Sequence, residues 1–153
     1  MKIRSAKIQD AAEVRKLIFD ILHEHGLKPD PQSTDSDLDD IESFYLKTGG
    51  IFDVVLDEGE QIIGTLGLLA LGDICELRKM YLHKKSRGQG LGRKLLEHAI
   101  QRARELGFHK IELETASVLK DAIRMYERYG FKPIEREHLP ARCDQAYQLI
   151  LRA

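Results

Sequence analysis

The spacing of apolar residues along the chain changes in steps that mark out alternating strands and helices. Lys2–Ala6 reads as a short strand, and Gln9–His25 then carries Ala11, Val14, Leu17, Ile18, Ile21 and Leu22 at helical spacing. Gly26 stands where that helix would stop. Ile51–Leu56 and Gln61–Ala70 are apolar runs on either side of Asp57-Glu58-Gly59-Glu60, the pattern of a hairpin. Asp73–His83 is a further strand whose less regular pattern predicts a bulge or kink. Gly90–Leu106 is helical, with Leu91, Leu95, Leu96, Ala99, Ile100, Ala103 and Leu106 along one face and Gly107 closing it. Lys110–Thr115 predicts a strand, Val118–Tyr129 a helix capped by Ser117 and ended by Gly130, and Phe131–Ile134 and Asp144–Leu151 two last strands. Pro29–Ser36 reads as loop, and the acidic run Asp37–Lys47 as a second helix.

The fold class expected is α/β, a mixed sheet with helices packed against it. Its strand–helix–strand segment Asp73–Thr115 forms a βαβ unit that should cross over right-handed. At 153 residues the chain suits one domain, 1–153, with a core large enough to need no disulfide or metal. Cys75 and Cys143 are isolated thiols without a CxxC pair, which points to a reduced, cytoplasmic protein. The six histidines form neither HExxH nor a Cys/His cluster, so no metal is expected. No apolar run approaches the roughly 20 residues of a membrane helix. With 24 Lys+Arg against 25 Asp+Glu, nucleic acid is not an expected partner either.

The balanced charge hides an asymmetry. Pro29–Leu46 holds six acids and no Lys or Arg, whereas Leu77–Leu96 holds seven Lys or Arg and no acid. Inside the basic block lies Arg87-Gly88-Gln89-Gly90-Leu91-Gly92-Arg93, between a strand and the clearest helix. Glycines at alternate positions let backbone N–H groups converge without Cβ interference, and a helix N-terminus adds the positive end of its dipole. The loop lacks the Lys-[Ser/Thr] ending of a P-loop and does not fit GxGxxG, so it reads as an anion site of another kind or as a glycine-rich turn.

Two segments together decide between those readings. Arg87, Gly90 and Gly92 fit the [Q/R]-x-x-G-x-[G/A] signature of the GNAT superfamily of acyl-CoA N-acyltransferases. Ala122-Ile123-Arg124-Met125-Tyr126-Glu127-Arg128-Tyr129-Gly130-Phe131 resembles its A-x-x-x-Y-E-x-x-G-F segment, and the element order resembles the family over essentially the whole chain. The resemblance implies a central, mostly antiparallel sheet of about seven strands, flanked by about four helices, with a splayed strand pair forming the CoA slot.

It also implies an N-acetyltransferase using acetyl-CoA as co-substrate. Its pyrophosphate would lie on the loop from Arg87 through Gly88, Gln89, Gly90, Leu91 and Gly92 to Arg93. The pantetheine arm would pair, in the manner of an added strand, with the backbone of Met80, Tyr81 and Leu82, whose side chains read as core. Tyr126 occupies the family's general-acid position, although Ala122, Tyr126 and Tyr129 also share a core-facing stripe. Glu76 is the general-base candidate, directly or through a water, with a solvated strand glutamate as the plainer alternative; Asp73 and His83 are weaker candidates. The Met80 N–H would serve the developing oxyanion. Leu119 departs from the family, where many members carry an asparagine that contacts the cofactor arm, and Ser117 or backbone would have to substitute.

The amine acceptor stays open at this level. The acids Asp30, Asp35, Asp37, Asp39 and Asp40 would suit a cationic acceptor such as a polyamine, a lysine side chain or an aminoglycoside, or would simply cap a helix. Arg142 would instead favour a carboxylate-bearing amine. Homodimers are common in the family, but no residue here sets a symmetry. A catalytically idle domain that senses acetyl-CoA or binds a partner is the competing class.

Overall fold

The computed structural model describes residues 1–152. Seven strands form one sheet in the order β1-β2-β3-β4-β5-β7-β6. They are β1 (Lys2–Ser5), β2 (Ile51–Leu56), β3 (Ile62–Leu71), β4 (Ile74–Leu82), β5 (Lys110–Thr115), β6 (Lys132–Ile134) and β7 (Gln145–Ile150). Every neighbouring pair is antiparallel except β4 and β5. The α-helices are α1 (Ala11–Glu24), α2 (Leu91–Glu105) and α3 (Lys120–Arg128). The strands and long helices fall within a residue or two of their periodic patterns.

All six residues of β2 are buried, because helices cover both faces of the sheet there. Phe52, Val54 and Leu56 face Val14, Ile18 and Leu22 of α1 on one side. Val55, Leu66, Leu68 and Leu77 face Leu95, Leu96, Ala99 and Ile100 of α2 on the other. Each large aliphatic side chain buried in this way contributes about 1.5–3 kcal/mol.

The segment Asp37–Lys47 corrects the expectation of a second full helix. It is broken into a 3-10 turn, Ser36–Asp39, and one π turn, Glu42–Leu46, with Asp40 at φ −150° between them. The physical reason is that Asp37 does not face water but is turned inward and fully buried beside Tyr45, whose hydroxyl donates to it. Gly67 makes room for that tyrosine, since a Cβ there would lie 2.9 Å from the Tyr45 ring. Helix α3 likewise starts later than predicted. Leu119 occupies its N-cap, and Ser117 is held outside it by Asp144, whose carboxylate accepts from the Ser117 N–H and hydroxyl at 2.7 Å each.

The predicted irregularity in Asp73–His83 is a β-bulge. Register passes from Gly67↔Arg78 to Thr65↔Tyr81, so Lys79 and Met80 stand against the single residue Leu66. Lys79 takes φ +54°, costly for a residue with a Cβ. Its carbonyl accepts from the Thr65 hydroxyl at 2.7 Å. Below the bulge, β4 pairs with β5 only at Cys75↔Ile111 and Glu76↔Glu112. Beyond Glu76 the two strands part.

Candidate active site

The parting of β4 and β5 opens a cleft of about 750 Å³. One wall is β4 from Glu76 to Leu82, the other is the end of β5 with the start of α3, and Tyr126 and the glycine loop close it at one end. The loops around Thr34 and Arg142 close the other end.

At the glycine-loop end the backbone is arranged for an anion. Gly88 and Gly90 adopt φ +76° and +78°, and a Cβ at either would point into open space. Their glycine identity therefore answers to backbone conformation and not to crowding. Gly90 is the N-cap of α2, and the first N–H to find a helical acceptor is that of Lys94, which bonds the Gly90 carbonyl at 3.2 Å. From Gly88 to Arg93 no backbone N–H has an acceptor among the described residues. Free donors at the positive end of a 15-residue helix suit a pyrophosphate. Arg93 and Lys94 are exposed beside them. Arg87 is turned elsewhere: its guanidinium forks onto Glu24 of α1 at 2.8 and 3.0 Å, and its Nε donates to the Leu82 carbonyl. That side chain braces the end of β4 against α1, and it holds the Glu24 carboxyl below its ordinary value.

Of the residues singled out from sequence, Glu76, Met80, Tyr81, Leu82, Gly88, Gly92, Leu119 and Tyr126 all line the cleft. Asp73 and His83, the weaker base candidates, do not. Gln89 donates its side-chain amide to the Lys85 carbonyl at 3.4 Å. Leu119 brings no polar group to the arm, and Ser117, tied to Asp144, does not replace the missing asparagine.

Glu76 is mostly buried and makes no short hydrogen bond; its nearest partners are Arg136 at 3.6 Å and Arg78 at 3.8 Å. Burial raises its pKa, Glu114 adds to the rise, and the two arginines oppose it. Tyr126 is buried against Phe131, with ring centroids 5.6 Å apart. Its pKa is raised by burial and then by Tyr81, so it keeps its proton across the physiological range. Its hydroxyl has no protein partner, yet no side-chain polar atom among the described residues is both sealed and unpartnered. The hydroxyl therefore opens onto the cleft. Burial pushes both thiols up, Cys75 to about 12, which removes them as nucleophiles.

The acidic block does not form a negative surface. Asp35 is wholly buried and receives a bidentate fork from Arg142, two bonds of 2.6 Å, with Lys79 at 3.2 Å. Asp37 accepts from Lys79 at 3.1 Å and from Tyr45. Asp39 pairs with Arg15 at 2.8 Å, Asp40 receives the Ser43 N–H at 3.1 Å, and Asp30 receives the Thr34 hydroxyl at 3.2 Å. Burial alone would raise Asp35, but Arg142, the Asp30 N–H and Lys79 outweigh it and hold the carboxyl at about 2. The sequence reading missed this inward turn, and it missed Arg136, which spans Glu76, Glu112 and Glu114. The signal for Arg136 was present: Lys110, Glu112 and Glu114 form a polar stripe with period two on a central strand, which demands a partner.

A parallel strand pair splayed at a bulge, with the unpaired N–H groups of a helix start at its mouth, is the central feature of this domain. A model of the Acetyltransferase (GNAT) family matches residues 15–131. The chain belongs to that family and is an enzyme of the acyltransferase class. It is 39% identical over 139 residues to the Escherichia coli (strain K12) protein named uncharacterized N-acetyltransferase YjgM, covering 87% of this chain and 83% of that one. It is similar to the crystal structure of a GNAT-family acetyltransferase from Staphylococcus aureus, with TM-score 0.92, 29% identity and 99% of each chain covered. YncA from Salmonella typhimurium, solved with its cofactor acetyl-CoA, superposes with TM-score 0.76 at 25% identity, over 100% of this chain and 95% of that one. The family resemblance carried by the glycine loop and the Tyr126 segment is borne out.

Among the described residues no helix is long and apolar enough to cross a membrane, and no group of three or more His, Cys, Asp or Glu is placed to hold a metal ion.

Proposed function

We propose that the protein transfers the acetyl group of acetyl-CoA to a primary amine by direct attack within a ternary complex. The observation that carries this reading is the run of unpaired N–H groups from Gly88 to Arg93 at the mouth of the β4–β5 split. When bound, acetyl-CoA supplies an activated thioester. Those amides and the backbone of Met80 to Leu82 would hold it, the latter by strand addition. Relatives that carry this cofactor support the fit.

Glu76 takes the proton that the acceptor ammonium must lose, and its raised pKa suits it to that task. The Met80 N–H, at the bulge where β3 no longer matches β4 residue for residue, stabilises the carbonyl oxygen as charge builds there. Tyr126 donates its proton to the departing sulfur as the C–N bond forms and the C–S bond breaks. The second nitrogen proton, released on amide formation, restores Tyr126 through solvent. Unpaired Cys75 and Cys143 support a reducing, cytoplasmic setting.

The test is calorimetric titration with acetyl-CoA, followed by thiol release over a panel of amines. Micromolar binding with amine-dependent thiol release is expected; a protein that binds without turnover with any amine would be the idle sensor, and one that does not bind would lose the reading altogether. In the active protein, Tyr126→Phe should lower kcat by about 100-fold or more while changing acetyl-CoA affinity only a few-fold. An equal loss in both would remove its role as acid.

A further inference from the structure

The acceptor end of the cleft can be read by asking which charged groups still have unused hydrogen-bonding capacity. Lys79 donates to the Thr34 carbonyl and to Asp37 and is ion-paired with Asp35. Both Nη atoms of Arg142 are committed to Asp35, and those of Arg136 to Glu112 and Glu114. Of the acids in the 30–40 loop, Asp35 and Asp37 are consumed in these pairings, and Asp30, Asp39 and Asp40 do not line the cleft. Two groups remain. Arg78 gives a single hydrogen bond, Nη2 to the Thr34 carbonyl at 3.0 Å, and is 4.0 Å from Asp37. Its Nη1 has no hydrogen-bond partner and, since no sealed polar atom is unpartnered, opens onto the cleft. Glu76 is the other, 3.8 Å from that same Nη1.

We propose that the acceptor is an α-amino acid, or an amine carrying an acid group on the same carbon, with its carboxylate received by Arg78 and its amine presented to Glu76. The inference rests on the acetyl-transfer reading of this cleft. A guanidinium fork is the side chain best matched to a carboxylate, and Phe44, whose ring centroid lies 5.5 Å beneath it, fixes its plane. Arg78 and Glu76 form only a loose ion pair at 3.8 Å, with Arg136 3.6 Å from the same carboxylate, and so can open to a molecule whose opposite charges flank one carbon. A polyamine would need several unspent carboxylates, whereas Asp37 and Glu114 in the cleft already accept from Lys79 and Arg136, and Asp121 pairs with Arg124. A longer ω-amino acid would hold its charges too far apart.

The experiment compares kcat/KM for the common L-amino acids with that for their methyl esters, their decarboxylated amines and spermidine, using the intact protein. At least one amino acid should exceed its own ester and decarboxylated amine by about 10–100-fold, the worth of a charge-assisted hydrogen bond. Arg78→Gln should lower kcat/KM for that amino acid at least about 10-fold more than for the matched amine. Spermidine or a carboxylate-free amine surpassing every amino acid would overturn the inference while leaving acetyl transfer intact. The wild-type comparison needs no variant, so a folding defect in Arg78→Gln leaves it decisive. Should no amine turn over, the acetyl-transfer reading fails separately, and the inference is then judged by calorimetric binding of amino acids to the CoA-saturated protein. Binding weakened 10-fold or more by esterification supports it, and absence of binding overturns it.

Discussion

Glu76 shows how an ordinary carboxylate acquires a useful proton affinity. Burial comes first among the causes of its raised pKa, Glu114 adds to it, and Arg78 and Arg136 limit it. Below that pKa the group is protonated and cannot accept, so kcat/KM should climb as pH rises through it, from a point above the usual carboxylate value of about 4.3. Glu76→Gln should lower kcat by roughly 100-fold and abolish the limb lying lowest in pH, leaving only the limb due to the acceptor amine. A pH–rate profile of the two proteins checks this, and an unchanged acidic limb in the variant would reassign the base. That Glu76, Tyr126 and the glycine loop would meet at one cleft was readable in the sequence because motif spacing carries them. The place of Arg78 was not, and for Arg136 the polar stripe on β5 signalled only that some partner was needed, because which residue meets it depends on how β4 lies beside β5 and on the path of the chain after β6.

The bulge in β4 illustrates what periodicity conveys and what it omits. Irregular spacing announced a distortion, but not that the residue at φ +54° would be a buried lysine. Nor did a local reading find its counterions, because Asp37 is 42 positions from Lys79, and Asp35 is 107 from Arg142, the other cation it holds. A run of acids with no nearby base reads as a solvated helix start, and here two of those acids are core residues. The linkage has a definite sign. Asp35 is held at about 2 against an ordinary 3.8, so its stabilisation is complete above about pH 4 and lost as pH falls toward 2. Its size is about 2 kcal/mol. Urea unfolding between pH 7 and pH 2.5 should show this loss for the native protein, and the slope should shrink in Asp35→Asn. That variant should also be less stable at pH 7 by roughly 3–5 kcal/mol, having stranded Arg142 and Lys79.

At the scale of the molecule, the basic block of the sequence divides into separate duties. Arg78 and Lys79 meet the 30–40 loop, Arg87 braces α1, and Lys84, Lys85, Arg93 and Lys94 are exposed around the glycine loop. The sheet is joined across its middle by only two residue pairs between β4 and β5, so a co-substrate spanning that split contributes to its cohesion. Acetyl-CoA at about 100 times its dissociation constant should add about 2.7 kcal/mol to unfolding stability, read as a rise in Tm of several degrees. No rise in Tm at saturating acetyl-CoA would mean that the ligand does not favour the folded sheet.

The buried chain Arg142–Asp35–Lys79–Asp37 has a consequence for how such an enzyme changes over time. It fastens the loop before the π turn and the loop before β7 to the one strand whose backbone is distorted at the centre of the cleft. On the proposed reading, recognition of the acceptor is therefore not a detachable module. A 30–40 loop transplanted from a relative with different acids would strip the counterions from Lys79 and relax the bulge. A change of acceptor on this scaffold should accordingly need compensated changes at positions such as 35 and 142, which are neighbours in space and 107 positions apart in the chain.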